Sequence, residues 1–134
     1  MHLVWIYLIL CAGSALAREW TAELMPNPME NPVGCGRTAL DVSTGHSAIC
    51  DPDHLMPKDA QDSLEGLISN LEEELAKEDP LGKKKLELGI AIVRKMEKSS
   101  WTSVDTAAER FARDLHNKWG VGDATRQNGV LIFI

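Results

Sequence analysis

The chain has 134 residues and carries 20 acidic against 14 basic side chains, which gives a formal net charge of −6 at pH 7. A net negative field opposes binding to nucleic acid, and no stretch combines several Lys or Arg with aromatic side chains. The length suffices for one small domain with a single hydrophobic core but not for two. We therefore expect one domain that does not bind nucleic acid.

Residues 1–17 have the features of a secretory signal peptide. An apolar run from Leu3 to Ala12 is too short to span a bilayer, and it is followed by the small-residue pattern Ala15-Leu16-Ala17. This pattern predicts cleavage after Ala17 and entry into the secretory pathway. The positive charge before the run is weak, so a signal anchor is the alternative. No later segment approaches the ~20 apolar residues of a membrane helix, so we expect no transmembrane helix in the mature chain.

Residues 18–53 are expected to form a proline-rich arm followed by a disulfide-pinned segment. Pro26, Pro28 and Pro32 lie in the first half of this stretch. Because proline fixes φ and removes a backbone donor, regular secondary structure is not expected there. We predict that the first half is an extended arm lying on the surface.

Two cysteines remain after removal of the signal peptide, and they can pair in only one way. A disulfide between Cys35 and Cys50 would close a loop of about sixteen residues and stabilise the fold by about 3 kcal/mol. Disulfides also fit the secretory pathway. The alternative is a reactive thiol pair or a zinc site with His46 and His54, for which the usual short C-x-x-C spacing is missing.

A first helix is predicted from Asp53 or Leu55 to Ala76. Pro57 near its first position and acidic residues in its opening turns suit a helix N-terminus. The glutamates at 72–74 are expected to form a solvated face. The apolar residues recur at the spacing of one helix face and comprise Leu64, Leu67, Ile68, Leu71 and Leu75.

A strand, a second helix and a second strand are predicted next. Alternating apolar residues indicate a strand within Glu87–Met96, and Ser103 is a suitable N-cap for a helix that ends at Gly120. The run from Val130 to Ile134 is continuously apolar, as expected of a strand covered on both faces. Strands and helix in this order are best joined as a right-handed crossover with parallel strands, which predicts an α/β fold. The apolar stripe of the second helix comprises Val104, Ala107, Ala108, Phe111, Ala112, Leu115 and Trp119.

Two aspartates are candidates for a metal site. Asp51 and Asp53, with His54 beside them, could offer oxygen ligands to calcium, which takes six to eight oxygens. Asp-Pro-Asp is also an ordinary way to turn a chain and begin a helix. The sequence contains no EF-hand loop, no G-x-S-x-G and no H-E-x-x-H motif. We therefore expect no catalytic residues and no cofactor, with calcium left open.

Two sets of residues resemble a known family. The segments FARDLHNKWGVG and NGVLIF resemble the W-G-x-G … N-G-V-L-L signature of the TPM domain. The patterns PNP, CGR and CDPD are similar to the animal branch of that family, the modulator of levamisole receptor family. The motif positions are Trp119, Gly120, Gly122, Asn128 and Gly129, and the other patterns begin at Pro26, Cys35 and Cys50.

The resemblance implies a TPM-like α/β/α sandwich with a parallel or mixed sheet. It further implies a secreted module, or one held at the extracellular face of the plasma membrane, that is a non-enzymatic accessory subunit of nicotinic acetylcholine-type, levamisole-sensitive ligand-gated ion channels. The alternative is a metal-binding, phosphatase-like domain in which Asp51 is the ligand or catalytic carboxylate and Asp53 a weaker companion.

Family members continue beyond the N-G-V-L-L strand into further strands and helices. Residues 54–134 are therefore expected to form a partial TPM-like domain, incomplete at its C-terminal end. We expect contact with the channel through residues 27–53 and the loop at residues 120–128, because loops on a rigid scaffold usually supply recognition.

Overall fold

A computed structural model describes residues 18–38, 47–79, 86–98, 103–125 and 127–134. The predicted signal peptide at residues 1–17 lies outside the described residues, as does His46 of the alternative zinc site. Within the described ranges no helix is long and apolar enough to cross a membrane. The predicted α/β class is confirmed, with elements in the order β1 (Ile49–Cys50), α1 (Lys58–Glu78), β2 (Glu87–Ala91), α2 (Val104–Trp119) and β3 (Gly129–Phe133).

The strands that the structure describes form one parallel sheet in the order β1-β2-β3. The central strand β2 is covered on both faces. Ile90 packs on one face with Ile68 of α1, whereas Ala91 packs on the other face with Phe111 and Leu115 of α2. Consecutive strands step across the sheet in one direction while the two helices lie on opposite faces. The two connections therefore have opposite hands, and one of them departs from the usual right-handed crossover.

Helix α2 has the two ends that the sequence predicts. The Ser103 side chain accepts a hydrogen bond from Thr106 N at 3.2 Å, which makes Ser103 the N-cap. Gly120 ends the helix in the left-handed conformation at φ 64°, and its N–H donates to His116 O. Both ends are set by local chemistry, because a hydroxyl binds an unpaired N–H at one end and glycine takes a positive φ at the other.

Helix α1 follows Pro57, which occupies the N-cap position without a side-chain hydrogen bond, and it ends at Glu78 instead of the predicted Ala76. Its apolar stripe is only partly buried. Ile68 is 6% exposed, whereas Leu67 and Leu71 are 65% and 42% exposed. The helix therefore covers the sheet through one side of its stripe and leaves the other side open.

The prediction that the last strand is covered on both faces was wrong. Val130 and Ile132 are 43% and 41% exposed, whereas Leu131 and Phe133 pack against the cluster beneath α2. Side chains alternate across a strand, so a continuously apolar strand has an apolar group on each face whether or not both faces are covered. Among the described residues α1 packs on Ile49 of β1 and Ile90 of β2, and not on the exposed side chains of β3.

The prediction of an extended arm on the surface was also wrong. Residues 21–36 fold into consecutive turns, and Trp20 and Met25 are buried in the cluster under α2. The side chain of Asn27 accepts a hydrogen bond from Met29 N, and that of Asn31 accepts one from Gly34 N. Such bonds stabilise turns, and proline is compatible with turns. Lys118 Nζ donates to the carbonyl oxygens of Ala22, Glu23 and Met25. Burial of apolar side chains thus draws this segment into the core.

Candidate functional site

The disulfide lies inside the core beneath α2. Cys35 and Cys50 are joined with a Cα–Cα distance of 4.3 Å, and both side chains are fully buried. Asp51 N donates to Cys35 O at 3.0 Å, so the two segments run side by side. Gly36, at φ 82°, lies directly against the Asp51 carbonyl and leaves no room for a Cβ. The disulfide thus holds the end of β1 against the N-terminal segment.

Asp51 is fully buried and connects the end of β1 to the start of α1. Its Oδ1 accepts a hydrogen bond from Leu55 N at 2.9 Å. Its Oδ2 accepts from Met56 N at 2.8 Å and from Gln61 Nε2 at 3.0 Å. Three hydrogen bonds offset much of the cost of burying this carboxylate, so it serves as a structural group that joins the strand to the helix.

Asp53 has a different set of donors, although it is close to Asp51 in sequence. Its Oδ2 accepts from Trp20 Nε1 at 3.0 Å and from Arg94 N at 2.9 Å. Calcium needs six to eight oxygen ligands, and the described residues contain no group of three or more His, Cys, Asp or Glu side chains placed to hold a metal ion. The arrangement at Asp51 and Asp53 does not fit a calcium ion, and we derive no chemistry from one.

Arg37 adds a buried charge that the sequence analysis did not identify as part of a network. It is 4% exposed, donates to Gln61 Oε1 at 3.3 Å and pairs with Asp62 Oδ1 at 2.7 Å. Gln61 in turn donates to Asp51, so one amide links both charges. The hydrogen bond from Lys58, then that from Arg37, holds the pKa of Asp62 below its ordinary value. The C-G-R pattern contains Arg37 and could have pointed to it. The residues that bind Arg37, however, are Gln61 and Asp62 on α1, at least 24 positions later in the sequence.

The glycines of the W-G-x-G and N-G motifs allow close backbone approach. Gly122 has φ 80°, and the backbone of Gly129 occupies the space that a Cβ at Gly122 would need. Glu87, at the start of β2, accepts from Gly122 N at 2.7 Å through Oε2 and donates its own N–H to Asn128 O at 3.0 Å. Both ends of the loop are therefore bound to the first residue of β2.

The tip of the same loop is exposed and internally hydrogen-bonded. Asp123 N donates to Asn128 Oδ1 at 2.6 Å, and the Asp123 carboxylate accepts from Thr125 N at 2.8 Å. Gln127 N bonds to Asp123 O at 2.8 Å in a left-handed conformation with φ 48°. These hydrogen bonds hold the described residues of the loop in place, which reduces the entropy that they lose on binding.

A cleft of about 500 Å³ lies between α1, the amino ends of β1 and β2, and the end of α2. Both segments that the sequence analysis expects to contact a partner contribute to it. Trp119 forms part of one wall, and its buried Nε1 finds no acceptor among the described residues. The lining comprises residues 27–30, 47–48, 87–89 and 119–121 together with one face of α1.

The cleft is acidic, since four glutamates and no basic residue line its described wall. Glu65 accepts from Ala48 N at 3.0 Å, and Glu72 accepts from Leu88 N at 3.3 Å. These carboxylates bind backbone N–H groups at the amino ends of two strands, one at Ala48 just before β1 and the other at Leu88, the second residue of β2. Sequence reasoning placed Glu72 on a solvated face and missed this arrangement, because the partners lie 16 or more residues away. The remaining two glutamates of the lining are Glu30 and Glu87.

The rim of the cleft presents an apolar side chain beside these charges. Met29 is 56% exposed and lies next to the exposed Glu30. The combination of an exposed apolar group, fixed loop backbone and negative charge suits the recognition of a polypeptide surface with basic and apolar groups.

A family model described as modulator of levamisole receptor-1 matches residues 20–134. The match includes every segment that lines the cleft. No curated protein and no solved structure matches the chain.

Proposed function

Because the chain belongs to the modulator of levamisole receptor-1 family, we propose that it is a non-enzymatic accessory protein that binds the extracellular part of a levamisole-sensitive, acetylcholine-type ligand-gated channel. The acidic cleft is the observation that supports a binding role. It joins the turn at Asn27–Glu30 to the loop that begins at Gly120. Lys118 binds Met25 O just before the turn, and Glu87 binds Gly122 N in the loop.

The charge of the cleft indicates the kind of surface that the channel would present. Glu65, Glu72 and Glu87 each accept one or more hydrogen bonds from backbone N–H groups, and all three are acidic side chains of the lining. A partner loop with Lys or Arg fits this field, and its association rate should fall as ionic strength rises.

A secreted or extracellular location agrees with the Cys35–Cys50 disulfide, which forms in oxidising compartments. We expect the secreted product to begin at Arg18, whose guanidinium lies 4.5 Å from the centroid of the Trp20 ring. N-terminal sequencing of protein secreted from cells tests this, and a product that retains residues 1–17 would contradict it.

Co-expression with levamisole-sensitive receptor subunits tests the channel role. We expect a change in agonist-evoked current, in receptor surface level, or in both. If neither quantity changes while the protein is secreted and folded, the proposed function is wrong.

A pair of variants tests whether the cleft is the contact surface. M29R places a large cation at the rim, next to the acidic wall, and should abolish the change in current without unfolding the protein. V104R is the matched control, because Val104 is 60% exposed at the start of α2 and does not line the cleft. Equal loss of modulation in both variants would contradict the assignment of the cleft.

A phosphatase-like activity is not proposed. Asp51, the residue that would carry it, is fully buried and already accepts three hydrogen bonds from the chain.

A further inference from the structure

We propose that the acidic cleft binds an arginine side chain of a polypeptide partner, and that an apolar residue next to this arginine packs on Met29 and Val33. The inference rests on the proposed function for the identity of the partner, but the binding step can be measured on the chain alone. It follows from the spacing of the acidic groups, from a buried donor in the cleft wall and from exposed apolar side chains beside it.

The acidic groups of the cleft come from three separate parts of the fold. Glu65 lies on α1, Glu87 is the first residue of β2, and Glu30 is exposed in the N-terminal turns. In the described ranges no group of three or more His, Cys, Asp or Glu side chains is placed to hold a metal ion, so these three carboxylates do not converge on a single ion. Negative charge that is spread in this way favours an extended cation over a point charge.

Arginine is the side chain whose shape fits such a spread. Its guanidinium is planar, always charged and presents five N–H donors, whereas the lysine ammonium is a compact charge with three donors. One guanidinium can therefore bind carboxylates that stand apart. The backbone hydrogen bonds that Glu65 and Glu87 accept hold these carboxylates in position, which lowers the entropy lost on binding. At about 500 Å³ the cleft has the volume of a ligand pocket.

A buried donor in the cleft wall is a second, independent indication of a ligand. Trp119 is 8% exposed and lines the cleft, and its Nε1 has no acceptor in the part of the chain that the structure describes. The indole atom nearest to a Cβ placed at Gly89 is Cε3, at 3.7 Å, and Cε3 is on the ring edge opposite to Nε1. Nε1 therefore lies on the side of the ring away from this part of β2.

The unpaired donor indicates a polypeptide and not a simple cation. A buried N–H group without an acceptor costs free energy, and a bound metal ion or ammonium ion has no acceptor to offer. Every residue of a polypeptide has a carbonyl oxygen beside its side chain. An arginine in the cleft thus supplies both the positive charge for the glutamates and a main-chain acceptor for Trp119 Nε1.

Exposed apolar side chains continue the surface outside the cleft. Met29 and Val33 lie four residues apart in consecutive turns that meet at Asn31, and they are 56% and 62% exposed. Pro28 and Cys35 of the same turns are fully buried, so Met29 and Val33 are on the outer side. Because Met29 also lines the cleft, an apolar residue next to the bound arginine can pack on this pair.

Three peptides that differ in one residue test the chemistry of the ligand. The probe is acetyl-Ala-Leu-Arg-Leu-Ala-amide, and the other two peptides have lysine or citrulline in place of arginine. Citrulline keeps the shape of arginine without its charge. At low salt the arginine peptide should bind the secreted chain about tenfold more tightly than the citrulline peptide, with the lysine peptide between them. Added salt should reduce this difference.

Two results of this titration would overturn the proposal. One is equal affinity for the arginine and citrulline peptides, or affinity for lysine that equals the affinity for arginine. The other is the absence of binding at peptide concentrations of about 10 mM. Binding of calcium that displaces the arginine peptide would also overturn it, because the cleft would then be a metal site.

The indole N–H signals in an NMR spectrum locate the bound peptide. On addition of the arginine peptide, the signal of Trp119 Nε1–H should move to lower field because the group gains an acceptor. Trp20 Nε1–H already donates to Asp53, so its signal should stay in place and serves as the internal control. Binding that leaves the Trp119 signal unchanged would contradict the proposed acceptor and overturn the inference.

Single variants separate the cleft from the rest of the surface. E30K should weaken binding of the arginine peptide about tenfold, because Glu30 lines the cleft. E23K is the matched control, since Glu23 is exposed in the N-terminal turns and does not line the cleft. V33N should weaken binding about threefold through the lost apolar contact, whereas V104N, at an equally exposed valine of α2, should not. Equal effects within either pair would overturn the inference.

The same variants distinguish failure of this inference from failure of the proposed function. Binding of the arginine peptide by a chain that has no effect on receptor current or surface level would contradict the proposed function and support the inference about the cleft. A change in current that E30K and E23K leave equally intact would overturn the inference about the cleft and support the proposed function.

Discussion

Replacing Asp51 by asparagine distinguishes a structural carboxylate from a metal ligand. The change keeps the size of the side chain and removes one acceptor oxygen. In the structure Oδ2 accepts from Met56 N and Gln61 Nε2, and Oδ1 accepts from Leu55 N. An asparagine keeps two of these bonds when its carbonyl takes the Oδ2 position. The NH₂ group of the asparagine then faces Leu55 N. Because both groups are donors, the hydrogen bond to Leu55 N is lost.

The expected loss follows from one hydrogen bond to a charged, fully buried acceptor. Such a bond contributes ~1.5–3 kcal/mol, so D51N should lower the free energy of unfolding by about 2 kcal/mol. At roughly 4 °C per kcal/mol for a domain of this size, Tm should fall by about 8 °C. D51A leaves all three donors without their acceptor, and its loss should be at least twice as large.

Thermal and urea unfolding, followed by circular dichroism with and without calcium, measures these values. D53N is the matched control. Both donors of Asp53 bond to the same oxygen, Oδ2, so an asparagine carbonyl can keep Trp20 Nε1 and Arg94 N, and the loss should stay below about 1 kcal/mol. Equal losses for D51N and D53N would refute the reasoning. So would a calcium-dependent rise in Tm that D51N removes.

Three further predictions concern the parts of the chain that hold the cleft. Reduction of the buried disulfide, whose cysteines are 15 residues apart, should lower the free energy of unfolding by about 3 kcal/mol, measured in urea with and without reductant. K118M should lower it by ~1–2 kcal/mol and speed amide exchange in the N-terminal turns, whereas the control K77M, on an exposed ion pair, should leave both unchanged. The pKa of Asp62 is lowered in the folded state, so the ionised carboxylate stabilises the fold at pH values above the unfolded pKa of about 4. This stabilisation is lost as the pH falls below that value and through the folded pKa. In an NMR titration K58M should raise that pKa, and an unchanged value would contradict the cause.

Features set by neighbours in sequence were predictable. Ser103 and Gly120 bound α2 because a capping hydroxyl and a left-handed glycine act within one turn. The parallel pairing of β2 and β3 was also predicted correctly, since a strand, a helix and a strand joined in this order favour it.

Features set by distant contacts were not predictable. Proline content indicated an exposed arm, but Trp20 and Met25 pack under α2, and that contact depends on residues some 90 positions away. The apolar run of β3 indicated cover on both faces. The exposure of Val130 shows why this prediction failed. Apolar composition indicates which side chains a strand could bury, but it does not tell whether another element packs on them.

The residues that identify the family stabilise the fold. The family motif is therefore expected to report on the fold more than on the contact surface. Gly122 and Gly129 permit backbone contact, Trp119 fills the core, and Asp51 joins a strand to a helix. Changes at them should lower the amount of folded protein and the effect on the channel together, whereas M29R should lower the effect alone. Function in this domain is therefore expected to vary at Met29 on the rim of the cleft, a position outside the W-G-x-G and N-G motifs, although Trp119 and Gly120 also line the cleft.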